Sequence, residues 1–250
     1  MNKIIKDSIL LMTACVNPSS MIFTKLQNSE DRLKQYIEAV RFYLDNYSYK
    51  ILLVENTEVD LSIYFRKEIS ENRLECLTFN GNSFDKSLGK GYGEGLIIKY
   101  AFENSILLKN YKYIIKISGR HKVLNLQSII LTSEFFLNSN QKLIVCEVEP
   151  SKKFARSDCY ITSIDFYTEY LIKDLHLCND SNNIWFEHIL YNSITKAKND
   201  GFQFLYLPFA LDQRGYSGTN GERFRKTRLR RKIRFFLRML LYKIGLIKIN

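Results

Sequence analysis

The 250-residue sequence predicts an α/β fold, in which a mainly parallel central sheet carries helices on both faces. The first observation is that short apolar runs alternate with segments of helical periodicity throughout the first 150 residues. The second is that the chain is 46% apolar and 25% charged, which is a globular composition with enough apolar residues for a full core. Glycine and proline are too scarce for a collagen-like or linker-rich protein.

Five apolar runs predict buried strands in the first part of the chain, and one more follows near residue 202. The runs begin at Ser8, Lys50, Arg73, Tyr113 and Lys142, and the last one covers residues 202–208. Helical spacing of apolar residues predicts helices over 31–46, 61–70 and 96–105 and from about residue 182. Asp31 suits the first turn of the first helix, because a carboxylate there interacts favourably with the helix dipole.

The net charge of +11 is concentrated near the C-terminus. Residues 222–250 hold eleven Lys and Arg and one acid, so residues 1–221 are close to neutral. Within 223–248, Arg231, Arg234 and Arg238 fall on one helical face and apolar side chains on the other. This pattern predicts a basic amphipathic helix on an anionic membrane surface. We therefore predict a catalytic domain over 1–221 and a membrane-associating tail over 222–250.

Two other interpretations of the tail remain open. The arginine cluster would also suit nucleic acid, and a terminal helix packed on the domain would show the same periodicity. The adjacent Phe and Leu pairs favour a membrane over nucleic acid.

The cysteines and the N-terminus predict a cytoplasmic location. The chain has five cysteines, an odd number, and no two of them are spaced as in a CxxC motif. Neither a disulfide framework nor a zinc ribbon is therefore expected. The N-terminus shows no signal peptide. The longest uncharged run, residues 8–24, contains Asn17, Pro18, Ser19 and Ser20 and is too polar to span a bilayer.

The candidate binding residues follow the predicted strands. In open α/β sheets, ligands bind outside the carboxyl ends of the strands. Small, polar or charged residues stand at these points: Thr13, Ala14, Cys15, Glu55, Asn56, Thr57, Asn80, Gly81, Asn82, Ser118, Gly119, Arg120, Glu147 and Glu149. The alternative explanation is that any strand end becomes polar where it reaches the surface.

A glycine cluster over residues 89–95 is a second candidate. It lacks the Gly-Lys-[Ser/Thr] ending of a Walker A loop and does not follow the first strand. Its backbone N–H groups at a helix N-terminus, with Lys90 beside them, would still hold an anion. Gly91, Gly93 and Glu94 belong to the same candidate site. A flexible loop before the helix is the alternative.

Arg120, after the fourth strand, is the predicted phosphate ligand, because a guanidinium fork matches phosphate oxygens. Lys116 would help if its side chain faces the same side. Trp185, the single tryptophan, stands beside Glu187 and His188 in a constellation that suits a sugar. Glu187 is the candidate general base for an acceptor hydroxyl. A core tryptophan with a solvated Glu–His pair is the alternative.

These motifs resemble GT-A type glycosyltransferases, in particular small bacterial enzymes of capsule, O-antigen and lipooligosaccharide (lipopolysaccharide) biosynthesis. The resemblance covers residues 8–125 and is carried by TACVNP, LVENT, GKGYGE and IKISGR, with the loop around Ser217 more loosely similar. It implies a nucleotide-diphospho-sugar transferase fold, a nucleotide-sugar donor and a growing glycan acceptor. The acceptor in this family is often lipid-linked, and the enzymes work at the inner face of the cytoplasmic membrane.

The resemblance also implies roles for individual residues. Thr13, Ala14 and Glu55 would meet the base and ribose, while Lys90, Gly91, Ser118 and Arg120 would surround the diphosphate and donor sugar. The remaining donor-binding candidates are Cys15, Asn56, Gly93, Glu94, Lys116, Gly119 and Ser217. The family's Asp-x-Asp motif is absent, so no metal ligand is assigned and a divalent Mg or Mn ion stays an open question. A nucleotidyltransferase and a non-enzymatic membrane- or nucleic-acid-binding adaptor are the alternative functions.

Overall fold

A computed structural model describes residues 6–18, 21, 24–137, 142–216, 221–224 and 229–245, with the side chains of the last helix described at 233 and 235–242. Seven strands form the central sheet: β1 (Ser8–Ala14), β2 (Lys50–Glu55), β3 (Leu74–Thr78), β4 (Tyr113–Ser118), β6 (Leu143–Cys146), β9 (Cys159–Ser163) and β10 (Gln203–Tyr206). Two small ladders pair β5 (Lys122–Val123) with β11 (Gln213–Arg214) and β7 (Val148–Glu149) with β8 (Phe154–Ala155).

The helices are α1 (Ser29–Asn46), α2 (Arg66–Ser70), α3 (Gly89–Asn104), α4 (Leu126–Phe136), α5, α6 (Phe186–Asn199) and α7 (Leu229–Lys243). Helix α5 consists of the consecutive segments Ile164–Phe166, Tyr167–Leu171 and Ile172–Asp174, of which the middle one is a π-helix. Short 3₁₀ turns cover Ser62–Tyr64, Lys86–Leu88, Leu107–Asn110, Pro150–Lys152, Leu175–Leu177 and Asp180–Asn182.

The order of strands in the sheet is β10-β6-β9-β4-β1-β2-β3, and every pair is parallel except those that β9 makes with β4 and β6. All seven residues of β1 are buried, so both faces of the sheet are covered at its centre. The predicted α/β fold with a mainly parallel sheet is therefore confirmed. The first helix and the strands of the first 120 residues begin and end within about two residues of the predicted positions.

Besides the two-residue strands and the 3₁₀ turns, the antiparallel strand β9 and the helices α4 and α5 were not predicted. The glycine cluster was expected before a helix, but it forms the first two turns of α3. Close packing explains this difference. A Cβ on Gly91 would lie 3.0 Å from the backbone nitrogen of Phe186, and one on Gly95 would lie 3.3 Å from Leu175.

Helix α7 packs on the edge strand β10. Phe235 and Met239 are buried, and the Tyr242 ring meets Phe204 and Tyr206 edge-on. Arg238 was predicted on an outward basic face, but its guanidinium donates to the Val148 carbonyl (3.1 Å) and lies over Tyr206. Arg231 and Arg234 have side chains outside the described residues. No helix among the described residues is long and apolar enough to cross a bilayer.

Candidate functional site

A cavity of about 590 Å³ opens at the carboxyl ends of β1 and β4. These two strands are neighbours, yet the chain leaves β1 towards β2 and β3 on one side and reaches β4 on the other. The point at which successive strands change from one side of the sheet to the other therefore lies between β1 and β4. Such a reversal leaves a crevice between the loops that follow the two strands, and this is where α/β sheets bind ligands.

The floor of the cavity is a close contact between the ends of β1 and β4. The Gly119 N–H donates to the Thr13 carbonyl (3.1 Å), and a Cβ on Gly119 would lie 2.5 Å from that oxygen. The Tyr36 ring lies against Gly119, and its hydroxyl accepts from the Cys15 N–H (2.9 Å). Arg32 donates to the Cys15 and Leu26 carbonyls and so holds the loop after β1 in place.

Arg120 presents a buried guanidinium to this cavity. Its side chain donates to Gln35 Oε1 (3.0 Å) and to the Tyr216 carbonyl (3.3 Å), and it lies over the Tyr36 ring. Both hydrogen-bond acceptors are neutral, and no carboxylate of the described residues forms an ion pair with Arg120. Burial, reinforced by Arg32, lowers its pKa. The site therefore holds a positive charge that lacks a protein counter-ion.

His121 and Phe224 line this end of the cavity. The His121 ring is buried against the edge of Phe224 (4.7 Å between centroids). Its Nδ1 atom has no hydrogen-bond partner among the described residues, and burial lowers its pKa to about 4. The imidazole is therefore neutral near pH 7. Sequence reasoning gave His121 no role.

The N-terminus of α3 is already occupied, contrary to the expectation that it binds an anion. The buried Asp180 side chain accepts hydrogen bonds from the backbone N–H groups of Lys90 and Gly91. Burial raises the pKa of Asp180. Lys90 lines the cavity with its exposed side chain, so it remains a ligand candidate through its ammonium group.

Three polar pairs contribute side chains to another part of the cavity wall. Glu94 pairs with Lys116, which is fully buried in β4 and also donates to the Ser157 carbonyl (3.0 Å). Arg156 pairs with Asp158 at the start of β9. Ser157 donates its hydroxyl to Glu187 Oε1 (2.8 Å).

Glu187 differs from the other carboxylates of this wall. Burial raises its pKa, although the Ser157 hydrogen bond opposes the change. In contrast, burial acts to raise the pKa of Asp158, but the attraction and hydrogen bond of Arg156 together with the other positive groups nearby outweigh it, so the pKa of Asp158 is lowered. A carboxylate with a raised pKa is a better proton acceptor, which is the property a general base requires.

Most of the predicted site residues line the cavity: Thr13, Ala14, Cys15, Asn56, Lys90, Gly91, Gly93, Glu94, Ser118, Gly119, Arg120 and Glu187. Glu55 and Lys116 do not. Both oxygens of Glu55 accept hydrogen bonds from the loops after β1 and β2, including the N–H groups of Val16, Thr57 and Val59. Glu55 therefore organises those loops. Ser217 lies outside the described residues.

Asn82, which follows the third predicted strand, also lines the cavity as expected, whereas sequence reasoning missed several lining residues besides His121: Arg32, Tyr36, Phe154, Arg156, Asp158 and Asp180. Helix α1 supplies Arg32 and Tyr36, whose positions on the inner face carried no chemical signal. Arg156 and Asp158 stand two residues apart before β9, a strand that the sequence did not reveal.

Among the described residues, the carboxylates that line the cavity are not arranged to bind a metal ion. Glu94, Asp158, Asp180 and Glu187 are engaged by Lys116, Arg156, backbone N–H groups and Ser157 respectively. No three His, Cys, Asp or Glu of the described part of the chain are grouped for metal binding. We therefore derive no catalytic step through a metal.

No protein-family model matches the chain, and no curated protein matches its sequence. Among solved structures, the mannosyltransferase Ktr4p from S. cerevisiae is similar over 85% of this chain and 71% of its own length (10% identity, TM-score 0.46). A cytidylyltransferase from Leptospira borgpetersenii serovar Hardjo-bovis is similar over 82% and 77% (16% identity, TM-score 0.43). The bifunctional glycosyltransferase WbbM is similar over 84% and 40% (11% identity, TM-score 0.47). Similarity at this level does not identify an activity, so the function is deduced from the residues of the cavity.

Proposed function

We propose that the protein is a GT-A-like glycosyltransferase. It would move a sugar from a nucleotide-diphosphate donor to a hydroxyl of a lipid-linked precursor of a bacterial surface polysaccharide or oligosaccharide. The observation that carries this proposal is that two groups with complementary chemistry line the same cavity at the β1–β4 crevice. Arg120 supplies a buried charge that pairs with no carboxylate of the described part of the chain, and Glu187 supplies a carboxylate with a raised pKa.

The chemistry requires both groups. The acceptor oxygen attacks the anomeric carbon of the sugar, the bond between that carbon and the diphosphate breaks, and the electron pair leaves with the nucleoside diphosphate. Glu187 takes the proton from the acceptor hydroxyl. Arg120, with Lys90, stabilises the charge that develops on the diphosphate, because fixed charges in a site shielded from water act strongly on a leaving group.

Replacing Arg120 tests the donor site. We expect Arg120→Ala to weaken nucleoside-diphosphate binding about 10- to 100-fold, since hydrogen bonds to charged groups contribute about 1.5–3 kcal/mol. Arg120→Lys should recover only part of this, because it keeps the charge and loses the fork. The matched control is Arg214→Ala, which removes an exposed arginine that does not line the cavity. Binding is measured by calorimetry with UDP, GDP and CDP; unchanged affinity in Arg120→Ala would refute the assignment.

The released product separates the proposed activity from its alternatives. A glycosyltransferase releases a nucleoside diphosphate from a nucleotide sugar, whereas a nucleotidyltransferase releases pyrophosphate from a nucleoside triphosphate. An adaptor binds neither donor, and its melting temperature would not rise with any nucleotide sugar. Measuring the same increase in melting temperature in the presence of manganese and in the presence of EDTA decides whether donor binding depends on a metal.

Helix α7 supports a place at the inner face of the cytoplasmic membrane. Its domain-facing side is buried, but Ile233, Leu237, Leu241 and Ile244 form a stripe with exposures of 52, 50, 37 and 67%. The segment that contains this stripe is strongly basic. Aliphatic side chains flanked by cations match the interface of an anionic bilayer, where each Lys or Arg near the surface contributes about 1 kcal/mol.

Polar substitution of this stripe tests membrane attachment. We expect Ile233→Ser with Leu237→Ser to reduce binding to phosphatidylglycerol-containing vesicles more than about tenfold, because burying one such side chain contributes about 1.5–3 kcal/mol. The control pair is Ile106→Ser with Leu131→Ser, which removes an exposed Ile and Leu elsewhere. Vesicle co-sedimentation of the full chain measures the effect. Equal binding by both double variants would contradict the proposal, and so would equal binding to neutral vesicles.

A further inference from the structure

A half-exposed aromatic cluster lines the cavity beside Glu187. Trp185, the only tryptophan of the chain, is 41% exposed although it borders the cavity. Phe154 borders the same cavity from the β7–β8 hairpin, which packs on α6. Two elements that are distant in sequence thus bring large aromatic surfaces to one place, while the adjacent Phe186 is 1% exposed and anchors the helix.

The orientation of the indole is fixed by its neighbours. The Trp185 N–H of the backbone donates to His188 Nδ1 (3.3 Å), and the imidazole stacks on the indole with 5.1 Å between centroids and 12° between planes. Phe154 meets the indole edge-on at 6.4 Å and the imidazole at 6.0 Å. One face of the indole is therefore covered by His188, and the ring is held rigidly with apolar surface left open to the cavity.

A rigid aromatic face next to polar groups suits a pyranose. The C–H groups of a sugar ring carry partial positive charge, which complements the electron-rich face of an indole. The polar neighbours are Glu187, two residues along the chain, and Asn183, whose backbone has a positive φ of 58° and which also lines the cavity. A few polar groups around an apolar surface provide the orientation that such ligands need.

We propose that Trp185 and Phe154 form the platform that binds the acceptor sugar, an inference that rests on the glycosyltransferase activity proposed above. The platform stands on the Glu187 side of the cavity, whereas the phosphate-binding Arg120 stands at the β1–β4 ends. Trp185 and Glu187 line the same cavity, so a sugar stacked on the indole would lie in the cavity that also contains the proposed proton acceptor.

The single tryptophan makes the platform directly observable. The full chain, saturated with a nucleoside diphosphate, is titrated with the methyl glycosides of glucose, galactose, mannose and N-acetylglucosamine, and Trp185 emission is recorded. We expect a saturable blue shift with at least one pyranoside, because the sugar displaces water from the indole. Phe154→Ala should weaken this binding about three- to tenfold, the usual contribution of an aromatic contact. Phe135→Ala, which removes an exposed phenylalanine of α4, should not change it.

Three outcomes would overturn the proposal. The first is that no pyranoside shifts the emission although the nucleoside diphosphate still raises the melting temperature. The second is that the open-chain polyol sorbitol causes the same shift. The third is that a nucleoside alone causes the shift, which would make the platform a base-binding surface. Failure of every nucleoside diphosphate to bind would contradict the glycosyltransferase activity itself, and the melting temperature reports that separately.

Discussion

Glu187→Gln is expected to reduce sugar transfer about 10²- to 10⁴-fold, the usual contribution of a general base. The substitution keeps the shape of the side chain and removes the basic oxygen. Nucleoside-diphosphate affinity should stay within about twofold of the wild type, because no charge-assisted contact to phosphate is lost. The rate of sugar transfer is measured in single-turnover experiments, and the affinity for the donor is measured by calorimetry. Glu103→Gln, an exposed glutamate of α3, is the control.

The pH profile of kcat/KM tests the same residue independently. A base works in its ionised form, so activity falls as the pH drops through the Glu187 pKa, and burial places that point above the ordinary glutamate value. Ser157→Ala removes a hydrogen bond that favours the ionised form, so the acidic limb should move to higher pH. Ser133→Ala, which removes a buried hydroxyl bonded to the Ile129 carbonyl, should leave it in place. An unmoved limb in Ser157→Ala would assign it to another group.

The parallel strands of the fold could be predicted because the pattern that indicates each of them lies within the strand's own residues. Each strand from β1 to β4 is an apolar run, and each run ends in residues that the crevice uses. Strand β9 gave no comparable signal, because the strand Cys159–Ser163 is only five residues long. Its antiparallel position between β4 and β6 is decided by packing. Its absence from the prediction also hid Arg156 and Asp158, which precede it.

Glycine misled the prediction at α3 for a physical reason. Four glycines within seven residues disfavour a helix by about 1 kcal/mol each relative to alanine. Close packing accompanies that local penalty, since an added Cβ would lie only 3.0 Å from the Phe186 nitrogen at Gly91 and 3.3 Å from Leu175 at Gly95. The same packing carries Asp180 to the helix N-terminus. The anion that the glycine motif predicts is therefore a side chain of the protein.

The position of Lys116 predicts which partner of its ion pair is harder to replace. Lys116 has no exposed surface, whereas the Glu94 side chain is 24% exposed towards the cavity. Glu94→Ala leaves a buried ammonium unpaired and should cost about 3–5 kcal/mol of unfolding free energy. Lys116→Met should cost less, because the remaining carboxylate still reaches water and its partner is replaced by a side chain of similar length.

Urea unfolding of both variants and of Glu94→Leu with Lys116→Met measures this asymmetry. The double variant should be more stable than Glu94→Ala alone, because removing both charges also removes the unpaired ammonium. The control is Glu169→Ala, which breaks the exposed pair with Lys142 and should cost at most about 1 kcal/mol. If Glu94→Ala costs no more than this control, the pair does not stabilise the fold. A fall in donor affinity in the same variant would then assign the Glu94 carboxylate, which lines the cavity, to contact with the ligand.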